Sequence, residues 1–276
     1  MGTMTHIAGR AAFSKAVDIV LKNADKDREK EITKLVDLME KYMGSEKIDV
    51  DYNKVKELIC DKDKTLNKYI NRLLDEINPH VLKTTALNLG YEAFFHGTKT
   101  IRKMREVHDC NVPWLILMDP TSACNLHCTG CWAAEYGNKL NLTFDEMDSV
   151  ITQGKELGIY LYMFTGGEPL VRKEDIIKLC KKHSDCAFLA YTNGTLVDEK
   201  LCEQMVEVGN FYLAISLEGF EAVNDLRRGN GVYGKVMHAM ELLKQYGLIF
   251  GTSICYTSKN LSLIHISEPT RRTPIS

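Results

Sequence analysis

The spacing of apolar residues divides the chain near residue 110. Before that point, apolar side chains recur at intervals of three and four within a charged background, which predicts amphipathic helices. The helical stretches run over 16–21, 32–39, 55–77 and 81–105. Asn78-Pro79 separates the last two, because proline disfavours helix at the residue before it. These patterns predict an α-helical N-terminal region over residues 1–110.

From Pro113 onward, short apolar runs alternate with helical patterns. The predicted strands are 114–118, 160–164, 187–191, 211–216 and 248–255. The predicted helices are 143–157, 173–182, 198–208 and 232–246, the first opened by a capping box of Thr143 and Glu146. The first run is continuously apolar, which predicts a strand buried on both faces. Repeated β/α units with short connections predict an α/β fold with a parallel sheet over residues 111–260.

Residues 261–276 do not continue this pattern. They resemble a reading-frame translation of the transposase adapter used in sequencing-library preparation. We therefore expect this segment to be non-native and the domain over 111–260 to be incomplete, truncated after about five strands. A natural polar tail is the alternative, since chain termini are often frayed.

Composition narrows the choice of partners. Hydrophobic residues make up 45% and charged residues 26% of the chain, as in ordinary globular proteins. A formal net charge of -2 gives no general signal for binding polyanions, so no nucleic-acid partner is expected. No apolar run approaches the roughly 20 residues that span a bilayer, and the N-terminus lacks a secretory signal. We therefore expect a cytoplasmic protein without a membrane partner.

Three of the nine cysteines are clustered just after the first predicted strand. Cys124, Cys128 and Cys131 lie four and three residues apart. Thiolates are the soft ligands that iron–sulfur clusters select, and three of them leave one iron of a four-iron cube without a protein ligand. Ferredoxins that only transfer electrons fill all four positions with cysteine. A zinc site completed by Cys110 or His127 fits the same spacing and stays open at this point.

The C-x3-C-x2-C spacing after a first strand resembles the signature of the radical S-adenosylmethionine (SAM) superfamily. The resemblance implies a partial, TIM-like (β/α)6 barrel and a [4Fe-4S] cluster whose open iron chelates SAM. It also implies reductive cleavage of SAM to methionine and a 5′-deoxyadenosyl radical, which abstracts hydrogen from a substrate. Gly130 departs from the pattern, because the family usually has an aromatic residue there. Trp132 is a candidate substitute, with a core tryptophan as the alternative.

Two further motifs follow the second and third predicted strands. Gly166, Gly167, Glu168 and Pro169 resemble the GGEP motif of the family, which implies contact with the amino group of SAM. Paired glycines let a ligand approach the backbone closely, and the glutamate offers a carboxylate to a cation. Asn193 lies in a sequence similar to the TNG element, which implies a position near SAM.

The fourth predicted strand ends in a motif that resembles S-x-D-G. Ser216 and Glu218 then correspond to residues that contact the ribose hydroxyls of SAM, with Glu in place of the more frequent Asp. Arg227 or Arg228 follows, and the resemblance implies an ion pair with the SAM carboxylate. The alternative is a solvated arginine at the end of a helix.

The resemblance covers residues 112–260 and points to the molybdopterin-precursor-synthase and peptide-maturase branch. We expect a radical SAM enzyme with a small-molecule or peptide substrate and a protein reductant such as ferredoxin or flavodoxin. A non-catalytic iron–sulfur electron-transfer or metal-binding module is the alternative. The helical N-terminal region is a cap, a partner-binding arm or a substrate gate, and the sequence does not choose among them.

Overall fold

The N-terminal region is helical, as the sequence predicts. The computed structural model describes residues 2–23, 27–43, 51–133, 137, 139–257 and 260, so the expected adapter segment lies outside them. The helices are α1 (Gly2–Asn23), α2 (Arg28–Met43), α3 (Tyr52–Cys60), α4 (Thr65–Glu76), α5 (Pro79–Thr85) and α6 (Thr98–His108). A π-helical segment, Ala86–Gly97, joins α5 to α6. Asn78 caps α5 with Pro79 in its first turn, so the predicted break is confirmed.

The second half is a parallel five-stranded sheet with helical crossovers, which confirms the predicted α/β class. The strands, in sheet order, are β1 (Leu115–Met118), β2 (Leu161–Phe164), β3 (Ala187–Thr192), β4 (Phe211–Ser216) and β5 (Phe250–Ser253). The helices are α7 (Phe144–Glu156), α8 (Lys173–Lys182), α9 (Glu199–Val208), α10 (Glu221–Arg228) and α11 (Val232–Gln245). Thr143 and Glu146 form the predicted capping box of α7, whereas α10 has no counterpart among the predicted helices.

The two faces of the sheet differ in burial. One face, with Phe164 stacked on Phe188, packs against the crossover helices and is buried along the central strands β2, β3 and β4. On the other face, the strand register places Leu117, Met163 and Leu189 side by side. Leu117 is 54% exposed there, so the prediction of a first strand buried on both faces is wrong. Tyr191 on the central strand β3 is also exposed on this face, so the exposure belongs to the face and not to β1 alone.

The segment from α5 to α6 packs across the N-terminal ends of the strands. The buried Asn88 side chain donates to the carbonyl oxygens of Ser184 and Cys186, 2.9 and 2.8 Å away, just before β3. At the start of β4, the Tyr212 hydroxyl donates to Thr85 Oγ1 over 2.9 Å. Buried polar groups must find such partners, so these bonds fix the segment in place. This part of the N-terminal region is a cap on the end of the sheet.

Helices α1 to α4 build a second, smaller core. Its buried side chains are Val20, Ile32, Val36 and Ile59, separate from the cluster under the sheet. None of the described helices combines the length and apolarity that crossing a bilayer requires. The domain boundaries that the sequence suggests, after residues 110 and 260, stay predictions.

Replacing Gly97 with alanine tests how tightly the cap is packed. An added Cβ would overlap the carbonyl oxygen of Gly158 and lie 2.8 Å from that of Glu92, and backbone atoms cannot move aside cheaply. We expect Gly97→Ala to lower the free energy of unfolding, measured in urea, by about 1–3 kcal/mol.

Gly234→Ala in α11 is the matched control, since nothing lies within 4 Å of its added Cβ. Alanine there removes the entropic cost of a helical glycine, so stability should stay level or rise by about 0.5–1 kcal/mol. Equal effects of the two substitutions would show that the cap is not closely packed on the sheet.

Candidate metal and cofactor site

The loop between β1 and α7 carries the three clustered cysteines. Cys124, Cys128 and Cys131 are free and partly buried. Burial raises the pKa of the Cys124 and Cys128 thiols, although the nearby Arg228 and Arg227 act against this at Cys128. Metal ions bind thiolates, so loading this site must release protons. The two arginines supply positive charge beside the thiolates that result.

The cysteine loop offers three sulfur ligands, so a closed zinc site would need a fourth ligand from elsewhere. A four-iron cube binds each thiolate through a different iron and can leave its fourth iron without a protein ligand. Cys110 and His127, the candidate fourth zinc ligands, are both exposed.

The two glycines after β2 are required by the cysteine loop itself. The amide of Gly167 donates to the Thr121 carbonyl over 2.9 Å, and that of Glu168 donates to the Ala123 carbonyl over 2.8 Å. A Cβ on Gly167 would overlap the backbone of Ala123. A Cβ on Gly166, whose φ is +98°, would lie 2.6 Å from the Thr121 carbonyl oxygen. The paired glycines therefore leave room for the backbone of the cysteine loop, which packs directly against them.

Glu168 is buried between the ends of β2 and β3, with 1% of its surface exposed. Its Oε1 accepts from the Leu170 amide at 3.0 Å and the Thr192 hydroxyl at 2.7 Å. Its Oε2 accepts from the Asn193 amide at 2.8 Å. Burial raises the pKa of the carboxyl, and these hydrogen bonds act against that shift. Pro169 follows and starts a short 3₁₀ turn, which leads the chain into α8.

Asn193 ties the cysteine loop to the end of β3. Its side-chain amide donates to Asn125 Oδ1 over 2.8 Å, and its Oδ1 accepts from the Thr195 amide at 2.9 Å. Asn125 donates in turn to the Thr195 hydroxyl over 2.8 Å. The sequence places Asn193 near a cofactor but does not single out Asn125. The position of Asn125 between Cys124 and Cys128 is the sequence feature that could have identified Asn125 as part of the site.

Glu218 and the two arginines after β4 bind one another. Glu218 is 1% exposed, and its Oε1 forms ion pairs with Arg227 and with Arg228, the latter at 2.6 Å. Its Oε2 accepts from the Cys255 amide at 3.1 Å. The sequence predicts separate roles for Glu218 and Arg227, whereas the structure joins them. Both arginines lie in the last turn of α10, but each pairs with Glu218 and is not simply solvated, as the alternative interpretation requires.

Ser216 and α10 are the last parts of the structure that border the cysteine loop. Ser216 lies half-buried at the last position of β4, opposite Ser253 in the strand register. The Thr129 amide donates to the Arg227 carbonyl over 2.8 Å and so links the cysteine loop to α10. Asn224, fully buried, accepts from the Glu218 amide. Each strand end from β1 to β4 therefore contributes a contact or a side chain to one site.

A pocket of about 340 Å³ opens beside the paired glycines. Trp132 forms one wall and is 58% exposed, so its interpretation as a core residue is wrong. The volume lies within the range of pockets that bind small molecules. Other lining residues are Asp119, Thr121, Leu142, Gly166 and Gly167.

Comparison with known proteins agrees with this geometry. Residues 118–262, just over half of the chain, match the family model described as "Radical SAM superfamily". The Fe-coproporphyrin III synthase of Methanosarcina barkeri is 27% identical over 154 residues, which are 53% of this chain and 38% of that protein. The cysteine-type anaerobic sulfatase-maturating enzyme of Clostridium perfringens is 28% identical over 166 residues, 53% of this chain and 44% of that protein. The chain thus spans about half or less of the length of these relatives.

A solved structure extends the likeness to most of the chain. Streptococcus suis SuiB bound to S-adenosylmethionine superposes with a TM-score of 0.53 over 83% of this chain and 48% of that one. Its sequence identity is 14%, so the likeness is one of fold.

Glu168→Gln tests whether the buried carboxylate holds the site together. Three donors converge on its oxygens, and an amide NH₂ in place of one oxygen would face a donor. We expect the free energy of unfolding in urea to fall by about 1–3 kcal/mol.

Glu174→Gln, an exposed position on α8, is the matched control and should stay within about 0.5 kcal/mol of the unsubstituted chain. If Glu168→Gln is as stable as this control, the three hydrogen bonds do not hold the strand ends as described.

Proposed function

Because the chain belongs to the radical SAM superfamily, we propose that it is the core of an enzyme that cleaves SAM reductively and starts radical chemistry on an organic substrate. One observation carries the proposal. Three free, partly buried cysteines lie on one loop, which the backbone after β2 holds at the carboxyl ends of parallel strands. In β/α barrels these ends carry the chemistry.

The donor set fits a [4Fe-4S] cluster. Cys124, Cys128 and Cys131 would each bind one iron and leave the fourth for an exogenous ligand. When bound, the cluster supplies the electron that cleaves the carbon–sulfur bond of SAM. Burial raises the pKa of Cys128, and the charges of Arg228 and Arg227 oppose that shift, so they favour the thiolate that the cluster requires.

Glu168 and the paired glycines would receive the amino group of SAM. Burial raises the pKa of this carboxyl, and three hydrogen bonds and the charge of Arg228 oppose that shift. An ammonium group beside Oε2 would favour the ionised form further. Oε2 has one hydrogen bond, from the Asn193 amide, and a carboxylate oxygen can accept a second.

The arginine pair would receive the SAM carboxylate. Glu218 neutralises one of two guanidinium groups, so one positive charge is left over for an anionic ligand. Arg227, the more exposed of the two, is the better placed to use it. Glu218 then acts by holding the guanidinium groups. Ser216 remains the candidate for the ribose hydroxyls.

The substrate would lie against the open face of the sheet. Leu117 and Tyr191 are partly exposed on that face, and Ser216 is at its carboxyl end. The relatives carry the names of a porphyrin-type synthase and of a sulfatase-maturating enzyme, which are two different substrate classes. The proposed substrate is therefore a small molecule or a peptide. A ferredoxin or flavodoxin would supply the electron.

Single substitutions of the cysteines test the proposal. After anaerobic reconstitution with iron and sulfide, the native chain should show broad visible absorption and, with dithionite, convert SAM to 5′-deoxyadenosine. Cys124→Ala, Cys128→Ala and Cys131→Ala should each lose both, because each removes one of three cluster ligands.

Cys60→Ala is the matched control, an exposed cysteine on α3, and should keep both signals. Absorption without SAM cleavage in the native chain would favour the electron-transfer module. Absorption and cleavage that persist in all three variants would refute the cluster assignment.

A further inference from the structure

A second candidate site lies at the opposite end of the sheet from the cysteine loop. A cleft of about 680 Å³ opens between α1, α2 and the π-helical segment. Two of its lining residues, His6 and His96, lie beside the buried Glu92. Ligand atoms of these three side chains all lie within 4.8 Å of one another. Nothing in the proposed radical chemistry uses this cluster.

Glu92 is the centre of the cluster and is fully buried, with 0% of its surface exposed. Its Oε2 lies 2.8 Å from His6 Nε2, and its Oε1 lies 2.6 Å from Arg10 Nε. Arg10 is held in turn by Asn88 Oδ1 at 3.1 Å. One carboxylate oxygen thus lies in an ion pair with Arg10, without a hydrogen bond, while the other faces the imidazole groups. Carboxylates that bind metal ions are commonly oriented by an outer partner in this way.

The two histidines are arranged as a pair. The rings of His6 and His96 stack with centroids 3.7 Å apart and an interplanar angle of 16°. Because the two rings are nearly parallel, one of them would turn about its side-chain torsions to point its nitrogen at an ion shared with the other. Glu92 and His96 both lie in the π-helical segment, whose wider turn brings residues four apart toward the same face. Such segments are rare and frequently occur at functional sites.

We propose that His6, Glu92 and His96 bind one divalent metal ion of the zinc type. Two imidazole nitrogens and one carboxylate oxygen form a donor set that zinc accepts, and the cleft leaves the fourth position open. His6 Nε2 and Glu92 Oε2 would separate by roughly half an ångström to reach the ligand spacing of a tetrahedral ion. Lys99 and Lys103 line the same cleft, which favours an anion, such as a carboxylate, at the open position.

Zinc binding to the full chain tests the proposal. The cysteine loop also binds metals, so the measurement uses the Cys124→Ser/Cys128→Ser/Cys131→Ser variant, in which its ligands are gone. We expect this variant to bind one equivalent of Zn²⁺, and the affinity to fall at least about tenfold with His6→Gln or His96→Gln. Co²⁺ in place of Zn²⁺ should give visible absorption without a thiolate charge-transfer band.

His238→Gln is the matched control, an exposed histidine on α11, and should leave zinc binding unchanged. No zinc binding to the triple-serine variant would overturn the proposal, as would unchanged binding in both histidine variants. If circular dichroism shows that those variants misfold, X-ray absorption on zinc in the triple-serine variant decides. Two imidazole ligands support the site, and fewer than two overturn it. The outcome is independent of cluster assembly and SAM cleavage.

Discussion

The close contact between the cysteine loop and the backbone after β2 is the constraint on which the rest of the site depends. Two amides, of Gly167 and Glu168, donate to the carbonyl groups of Thr121 and Ala123. Side chains at the paired glycines would fill the space that these bonds need. The contact fixes the loop relative to the sheet, and Glu168 then joins β2 to β3. The proposed cluster ligands and the residues proposed to bind SAM therefore share one frame.

Much of the fold follows from local sequence patterns. The helix opened by Thr143 and the strand Phe211–Ser216 lie where capping chemistry and an apolar run predict them. The prediction that β1 is buried on both faces is wrong, because an apolar run does not reveal that one face of the sheet is left uncovered. Helix α10 was missed because its cap, Phe220, forms no side-chain hydrogen bond. The π-helical segment is also invisible in the sequence, since its apolar spacing resembles that of an ordinary helix.

The sequence predicts which residues meet at these strand ends but not how they contact one another. Family motifs identify the cysteines, the glycine pair, Glu168 and the residues after β4. The ion pairs of Glu218 with Arg227 and Arg228 depend on a turn of α10 that brings both arginines back to the end of β4. Spacing along the chain cannot give that distance. Sequence reasoning also fails to identify buried amide side chains such as that of Asn88, because their partners are backbone groups far away in sequence.

The cap formed by α5, the π-helical segment and α6 covers the amino ends of the strands and so restricts how other molecules can reach the site. With the amino ends of the strands sealed, a molecule bound for the cysteine loop has to arrive from the carboxyl ends or over the uncovered face. A reductant and a substrate would then share one approach, so the order in which they arrive becomes a property of the architecture. Substitutions in the cap can therefore alter the stability of the chain, or ligand binding at the proposed second site, without affecting access to the cysteine loop.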